Sequence, residues 1–563
     1  MNGAVLLKIF LLILWVQVST KDCPETIHVK TFHVAKLAFP EGIQRWAITK
    51  WVNGHENFQH SFQKNASFRL TLPDSVQDGA TRYKMTTANF AWLIQYAIDN
   101  NIHLRAMGNG WSFSEVAICE GGAVDTKALR LSFAFRDSFV SPDYLQSGKK
   151  SADLFFVQCG MSILQINEKL ESNGRSLKAS GASNGQSIAG ATSTGTHGAA
   201  YRVGAVHDAI VGLHVVVGPT RHVWIEKKSN PIASDQFIQW LGAEKISDDD
   251  VFNAVVVSFG SFGFIHGVML ETEPIFLIEE HKSPEVTYDQ SVVHTLNTLD
   301  FSTIATQLPY PVDGPDKSLW HFEALVNPHD FEPDNPQKGI YIRTMYKTPY
   351  RTDYPKRIRD TKGFQYGDNT LGVIQTILDT LGSKISTVLV PKLVGTLLPL
   401  VFKPGPILYG TIGETFNNTR FRGKAASASI GMDISSVSKV VELMVNANRE
   451  TPFPGVLSFR YVKGTSATLG FTRFPHTCVL EMDGVDSKIS RDFYKKIWEK
   501  MEAENIPFTL HWGKLNFILD APLVRKMYGS AIDQWIDCRH KLLDEATRKV
   551  FTNEFMVQCG LDG

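Results

Sequence analysis

The sequence predicts an α+β fold built in more than one part, and three observations carry that reading. The first third alternates short apolar strands with helical periodicity, a Pro-, Asp- and Tyr-rich texture follows, and the last part runs helix, strand, strand, helix, strand. At 563 residues the chain exceeds what one core usually organises, so two or three domains are expected.

The N-terminal run at 9–18, IFLLILWVQV, ends in Val18-Ser19-Thr20 and has Lys8 as its only basic flank. It is far shorter than the about 20 residues a helix needs to cross a bilayer. It reads as a secretory signal peptide (1–20) cleaved near Thr20, the alternative being an uncleaved anchor or buried helix. Asn65-Ala66-Ser67 and Asn417-Asn418-Thr419 are glycosylation sequons that agree with a secreted, extracellular protein or one held in the secretory lumen. The six cysteines, Cys23, Cys119, Cys159, Cys478, Cys538 and Cys559, show no CxxC and no zinc-ligand spacing. Disulfides are therefore expected and no metal site is; Cys538 with Cys559 is the favoured pair.

A lead segment covers 21–75. Residues 83–107 then read as a helix with Thr87 as N-cap and Phe90, Leu93, Ile94 and Ala97 as its apolar stripe. Asn100 and Asn101 end the helix, and IHLRAM alternates as a strand into a glycine loop. Strands recur at 154–160 and 209–218, and 253–274 is a helix or strand followed by a glycine-punctuated turn and a strand. Strand-like pieces SLWHFEALV and KGIYIRTMY follow. Residues 371–390 set six aliphatic side chains on one helical face before Pro391 and Pro399 interrupt. That stretch is a core-facing helix or, more sharply, an apolar lip over a substrate entrance or a membrane-resting surface; membrane contact through 371–403 is possible but not predicted. Helix 434–449, strands 455–462 and 477–483, helix 487–504 and strand 507–511 predict an antiparallel sheet with helices on one face. With 57 basic and 57 acidic side chains, the chain has no general attraction for nucleic acid or anionic membrane.

Two glycine-rich segments stand about 70 residues apart, at 108–122 and 180–198. Neither fits a GxxxxGK[ST] or a strand-to-helix GxGxxG phosphate loop. The second, SGASNGQSIAGATSTGTHG, holds five glycines, four serines, three threonines and a histidine. Such a stretch lays backbone N–H groups and hydroxyls along a polar or anionic ligand.

GNGWSFS, this second segment, VSFGSFGFIHGVML and HWGKLNF occur in an order that resembles flavoproteins of the vanillyl-alcohol oxidase type, with a PCMH-type FAD-binding domain. More closely, the chain is similar to the sugar-lactone and alditol oxidase branch, which includes gulonolactone and arabinonolactone oxidases. The resemblance implies a two-subdomain FAD domain at 76–278, a cap domain on an antiparallel sheet at 279–505, and a C-terminal segment, 506–563, returning to the flavin. By position, Gly108, Asn109, Gly110, Trp111, Ser112, Phe113 and Ser114 would wrap the cofactor diphosphate. Ser187, Gly190, Thr194, Gly195, Thr196 and His197 would line diphosphate and flavin, Ile265 would meet the cofactor through its backbone, and His511 would lie against the ring.

In many relatives a flavin-linking histidine stands where this chain has Trp111. Indole has no free lone pair for that bond, so FAD is expected to be non-covalent. At 457–462 the family's Glu-x-Arg pair is reduced to Ser458 and Arg460. Arg460 would stabilise charge on the reduced ring, Lys514 would hold substrate oxygens, and Glu481 or His511 would replace the missing carboxylate as base; Glu481 could equally be a strand-end surface carboxylate. The implied chemistry is hydride transfer from a CH–OH carbon to flavin N5, with oxygen or another acceptor taking the electrons. A polyol or sugar lactone is the expected substrate; a larger apolar alcohol such as a sterol, and a flavin-binding protein without catalysis, are the alternatives.

Overall fold

The computed structural model describes residues 39–357, 395–396, 399, 402, 404–418 and 424–563. The apolar run at 9–18, Cys23 and most of 371–403 therefore lie outside the described residues. Residues 41–563 form one compact unit in which three sheets carry most of the strands.

The first sheet has four strands in the order Ile43–Arg45, Phe68–Leu70, Gly122–Asp125, Leu104–Met107. Helix Gly79–Asn100 connects Phe68–Leu70 to Leu104–Met107. It starts at Asp78, whose side chain accepts from Thr81 N at 2.8 Å, and stops at Asn101, which takes φ +50°. Thr87 is thus not the cap but lies buried inside the helix, its hydroxyl 3.2 Å from Tyr83 O and 3.1 Å from His266 Nδ1. The apolar stripe begins only after the first turns, which hid the true start. Phe90, Leu93, Ile94 and Ala97 are buried as their spacing predicts.

The second sheet has six strands, ordered Glu244–Ser247, His222–Glu226, Ile210–Val216, Phe264–Glu271, Leu154–Gln158, Ser132–Ala134. Every residue of Leu154–Gln158 is buried, so both faces of that strand are covered. Tyr83, Phe156, Trp224, Phe237 and Met269 belong to the core between helix and sheet. A polar seam runs through it: Tyr83 Oη lies 2.8 Å from His214 Nδ1, and Thr86 Oγ1 2.9 Å from His266 Nε2. Burial holds His214 well below the usual imidazole range and brings His266 down to about 3.

The third sheet has eight antiparallel strands, ordered Leu408–Gly410, Phe276–Val286, Ile340–Pro349, Ser318–Val326, Gly455–Lys463, His476–Val485, Ala425–Asp433, Phe508–Leu510. Helices Gln290–Thr298, Val437–Glu450 and Lys488–Ala503 pack on one another. Tyr461 Oη donates to Leu296 O of the first at 2.9 Å, which puts that helix on the face opposite Arg460. The strand and helix order expected at 434–511 is thus present, as part of a larger sheet.

The five described cysteines are buried free thiols, so the expected Cys538–Cys559 bond is not formed. Both sit in the packed C-terminal helices as small apolar side chains, a common use of buried cysteine.

The histidine seam predicts acid sensitivity. His214 and His266 stay neutral in the fold but take protons when unfolded, once pH falls below their ordinary 6.5. Unfolding free energy should therefore fall between pH 6.5 and 5, by up to about 1.4 kcal/mol per pH unit for each imidazole. Urea titrations across that window should show the slope, and His266→Asn should reduce it; a flat profile contradicts the assignment.

Candidate active site

Strand Leu104–Met107 delivers its chain end into the loop at 108–114, and two distant segments meet it there. Asn109 Nδ2 donates to Gly185 O at 2.5 Å, Phe113 N to Gly513 O at 2.8 Å, and Ser114 Oγ to Trp512 O at 2.5 Å. Glycine is required at the closest approaches: a Cβ on Gly108 would collide with Ser187 Oγ, and one on Gly185 with the Trp111 ring. Gly110 takes φ +73°, a left-handed turn that glycine adopts without strain. Trp111 is therefore seated on the backbone of the second glycine segment, with His55 edge-on to its ring at 5.6 Å.

These segments line one cleft with about 1620 Å³ of unfilled space, its open mouth included. All of residues 108–114 line it, with Ser187, Gly190, Thr194, Thr196, His197 and Ile265. Of the expected cofactor residues only Gly195 is not in the lining; its φ of +79° turns the segment instead. Arg460, Glu481, His511 and Lys514 line the same cleft.

The charged part of the cleft is organised around Glu481, which is 1% exposed and so is no surface carboxylate. Its Oε2 pairs with Lys514 Nζ and accepts from Ser429 Oγ at 2.5 Å. Its Oε1 lies 3.2 Å from His197 Nε2 and 3.5 Å from Arg460 Nη1. Burial pushes this carboxyl up, but Lys514, the His197 hydrogen bond and Arg460 together hold it well below the usual carboxylate range. Register explains the placement, since Ser458 pairs directly with Glu481 across neighbouring strands. The carboxylate missing at Ser458 stands one strand away, on the same face.

His511 is different in kind. Its Nδ1 accepts from Gly513 N at 2.9 Å, which leaves the ring proton on Nε2. Burial, with His197 and Lys514 nearby, keeps the ring well below the usual imidazole range. Of the two expected bases, Glu481 is the anion and His511 a neutral donor.

Sequence reading missed Glu323 and Arg343. Arg460 Nε donates to Glu323 Oε1 at 2.9 Å, and Arg343 pairs with the other oxygen. Each lies mid-strand in a largely apolar stretch, SLWHFEALV and KGIYIRTMY, and that placement was the available signal. Asp483 and Ser427 were missed too; Ser427 Oγ donates to Asp483, which stands 3.9 Å from Lys514 Nζ.

Residues 85–225 match the family model described as "FAD binding domain". A Mycobacterium tuberculosis L-gulono-1,4-lactone dehydrogenase is 22% identical over 474 residues, covering 82% of this chain and 94% of that one. A Candida glabrata D-arabinono-1,4-lactone oxidase is 30% identical over 137 residues, 24% of this chain and 23% of that one. Among solved structures, cholesterol oxidase from Brevibacterium sterolicum superposes with a TM-score of 0.64 at 14% identity, over 92% of this chain and 97% of that one. That likeness establishes the fold.

The seat of Trp111 is testable. Gly185→Ala should cost about 1–3 kcal/mol of stability through overpacking against the indole. Adding Trp111→Ala should recover part of that loss in a double-mutant cycle, whereas additive effects would contradict the contact.

Proposed function

The chain carries an FAD-binding domain of the PCMH type, and from that premise we propose that it is an FAD-dependent oxidoreductase that oxidises a CH–OH group of a polyol or sugar lactone. The observation that carries the substrate class is the Glu481 cluster, a dense set of buried charges and hydroxyls suited to a hydroxyl-rich molecule. The residues present fit the cofactor: the two glycine segments pack against each other beside the cleft, and Gly108, Gly110 and Gly190 line it without side chains. FAD would be held by residues 108–114 and by Ser187, Gly190 and Thr194 to His197, and when bound it supplies a hydride acceptor.

The chain's own residues do the rest. Glu481, anionic and next to the cleft, accepts the substrate hydroxyl proton. His511 presents its Nε2–H as a donor, and Lys514 and Arg460 hold substrate oxygens and balance developing charge. Burial of the cluster excludes water and strengthens each of these interactions. FAD is held without a covalent bond, a reading supported by Trp111 in the first loop. The apolar run at 9–18 and the exposed Asn65 of the first sequon support secretion. The electron acceptor is oxygen or another acceptor.

A sterol is the second reading, favoured by the likeness in fold to cholesterol oxidase. An anaerobic panel of polyols, aldonolactones and sterols, read by loss of flavin absorbance, separates the two. Rapid bleaching by polyols or lactones alone is expected; bleaching by sterols alone overturns the substrate class, and none by any alcohol overturns catalysis. In single turnover, Glu481→Gln should slow reduction by about 10²–10⁴-fold. Lys514→Met should slow it as well, and an unchanged rate would remove Lys514 from the mechanism.

A further inference from the structure

Residues 257–262 join helix Asp249–Val256 to strand Phe264–Glu271, and three buried side chains collect the carbonyls of alternate residues in this turn. Trp535 Nε1 donates to Val257 O at 3.3 Å, Arg105 Nη1 to Phe259 O at 2.6 Å, and Arg539 Nε to Ser261 O at 3.1 Å. In a trans peptide the next N–H points opposite the carbonyl, so Gly260 N–H faces away from Arg105. Phe259 and Gly260 both line the cleft and both take left-handed conformations, φ +56° and +73°. For Phe259 that conformation is costly and needs a reason. Phe259 N–H is taken by Ser193 O at 3.1 Å and Ser261 N–H by Ser258 O at 2.8 Å, which leaves Gly260 N–H, on the side away from Arg105, as the donor this turn offers an anion in the cleft.

The two arginines supply a second reason. Both are at most 1% exposed, and among the described residues neither pairs with a carboxylate side chain. The other partner of Arg105 is Met556 Sδ at 3.0 Å, and its Nε has no hydrogen-bond partner among the described residues. Arg539 otherwise meets the main-chain oxygens of Arg548 and Gly563, at 2.9 and 3.4 Å, and the Thr552 hydroxyl at 2.8 Å. Burial brings Arg105 down to about 10; burial, with Arg105 nearby, brings Arg539 down to about 9. Glu120 near Arg105 and Asp562 near Arg539 offset part of this buried charge, and an anion held at the turn would offset more of it.

We propose that the turn at 257–262 is an anion cradle for the diphosphate of the cofactor, with Arg105 and Arg539 as positioning residues that act through its backbone. This rests on the flavin reading and adds a site for the phosphates that neither glycine segment contains.

The test titrates full-length protein, freed of bound cofactor, with three probes. FAD carries flavin and diphosphate, ADP the diphosphate without flavin, and riboflavin the flavin without phosphate. Arg105→Met and Arg539→Met should each weaken FAD and ADP by about tenfold or more and leave riboflavin unchanged. Arg105→Lys keeps the charge and should fall between wild type and Arg105→Met; it also serves if Arg105→Met does not fold. Equal losses for all three probes would mean structural support only and would overturn the cradle, as would unchanged ADP affinity or no ADP binding by wild type. If wild type binds ADP but neither flavin, the proposed function fails while the ADP arm still decides the cradle.

Discussion

A carboxylate at 1% exposure in the middle of a sheet is unfavourable by itself, and Glu481 persists because four segments converge on it. Lys514 comes from the turn after strand Phe508–Leu510, His197 from the second glycine segment, Arg460 from one neighbouring strand and Ser429 from the other. Satisfying this one group ties the eight-stranded sheet to the glycine segment and to the C-terminal turn. The same turn accepts from Phe113 and Ser114, so the first glycine loop is fixed by what fixes Glu481.

The charge does not end there. Arg343, Glu323, Arg460, Glu481 and Lys514 alternate in sign across adjoining strands and the following turn. Alternation lets each buried ion be stabilised by its neighbours, and in a low dielectric such a network is worth more than its separate pairs. It is also unforgiving, because removing one member strands the next. The network thus presents a cleft with fixed charges that need no rearrangement when a reacting group arrives.

Much of this was legible in the sequence, for physical reasons. The strands at 455–462 and 477–483 were readable in the element order of the last part, and unusual glycine density marked the segments that must pass close to one another. Register was not legible. Only pairing shows that Ser458 faces Glu481 and that Arg460 faces Glu323, because a charge in a largely apolar strand reads the same whether it points to solvent or into a network. Arg105 and Arg539 were hidden likewise, one in an alternating strand and one on an amphipathic helix. Thr87 misled because its hydroxyl suits a cap equally well as the buried histidine seam it joins.

The proposed chemistry requires a flavin held in the cleft without a covalent bond. The most direct test is the visible spectrum of the purified protein, repeated on the supernatant after acid precipitation. Flavin bands that pass into the supernatant are the predicted result. Colour retained in the pellet would contradict the role given to Trp111, and no flavin even after soaking in FAD would contradict the assignment of the cleft.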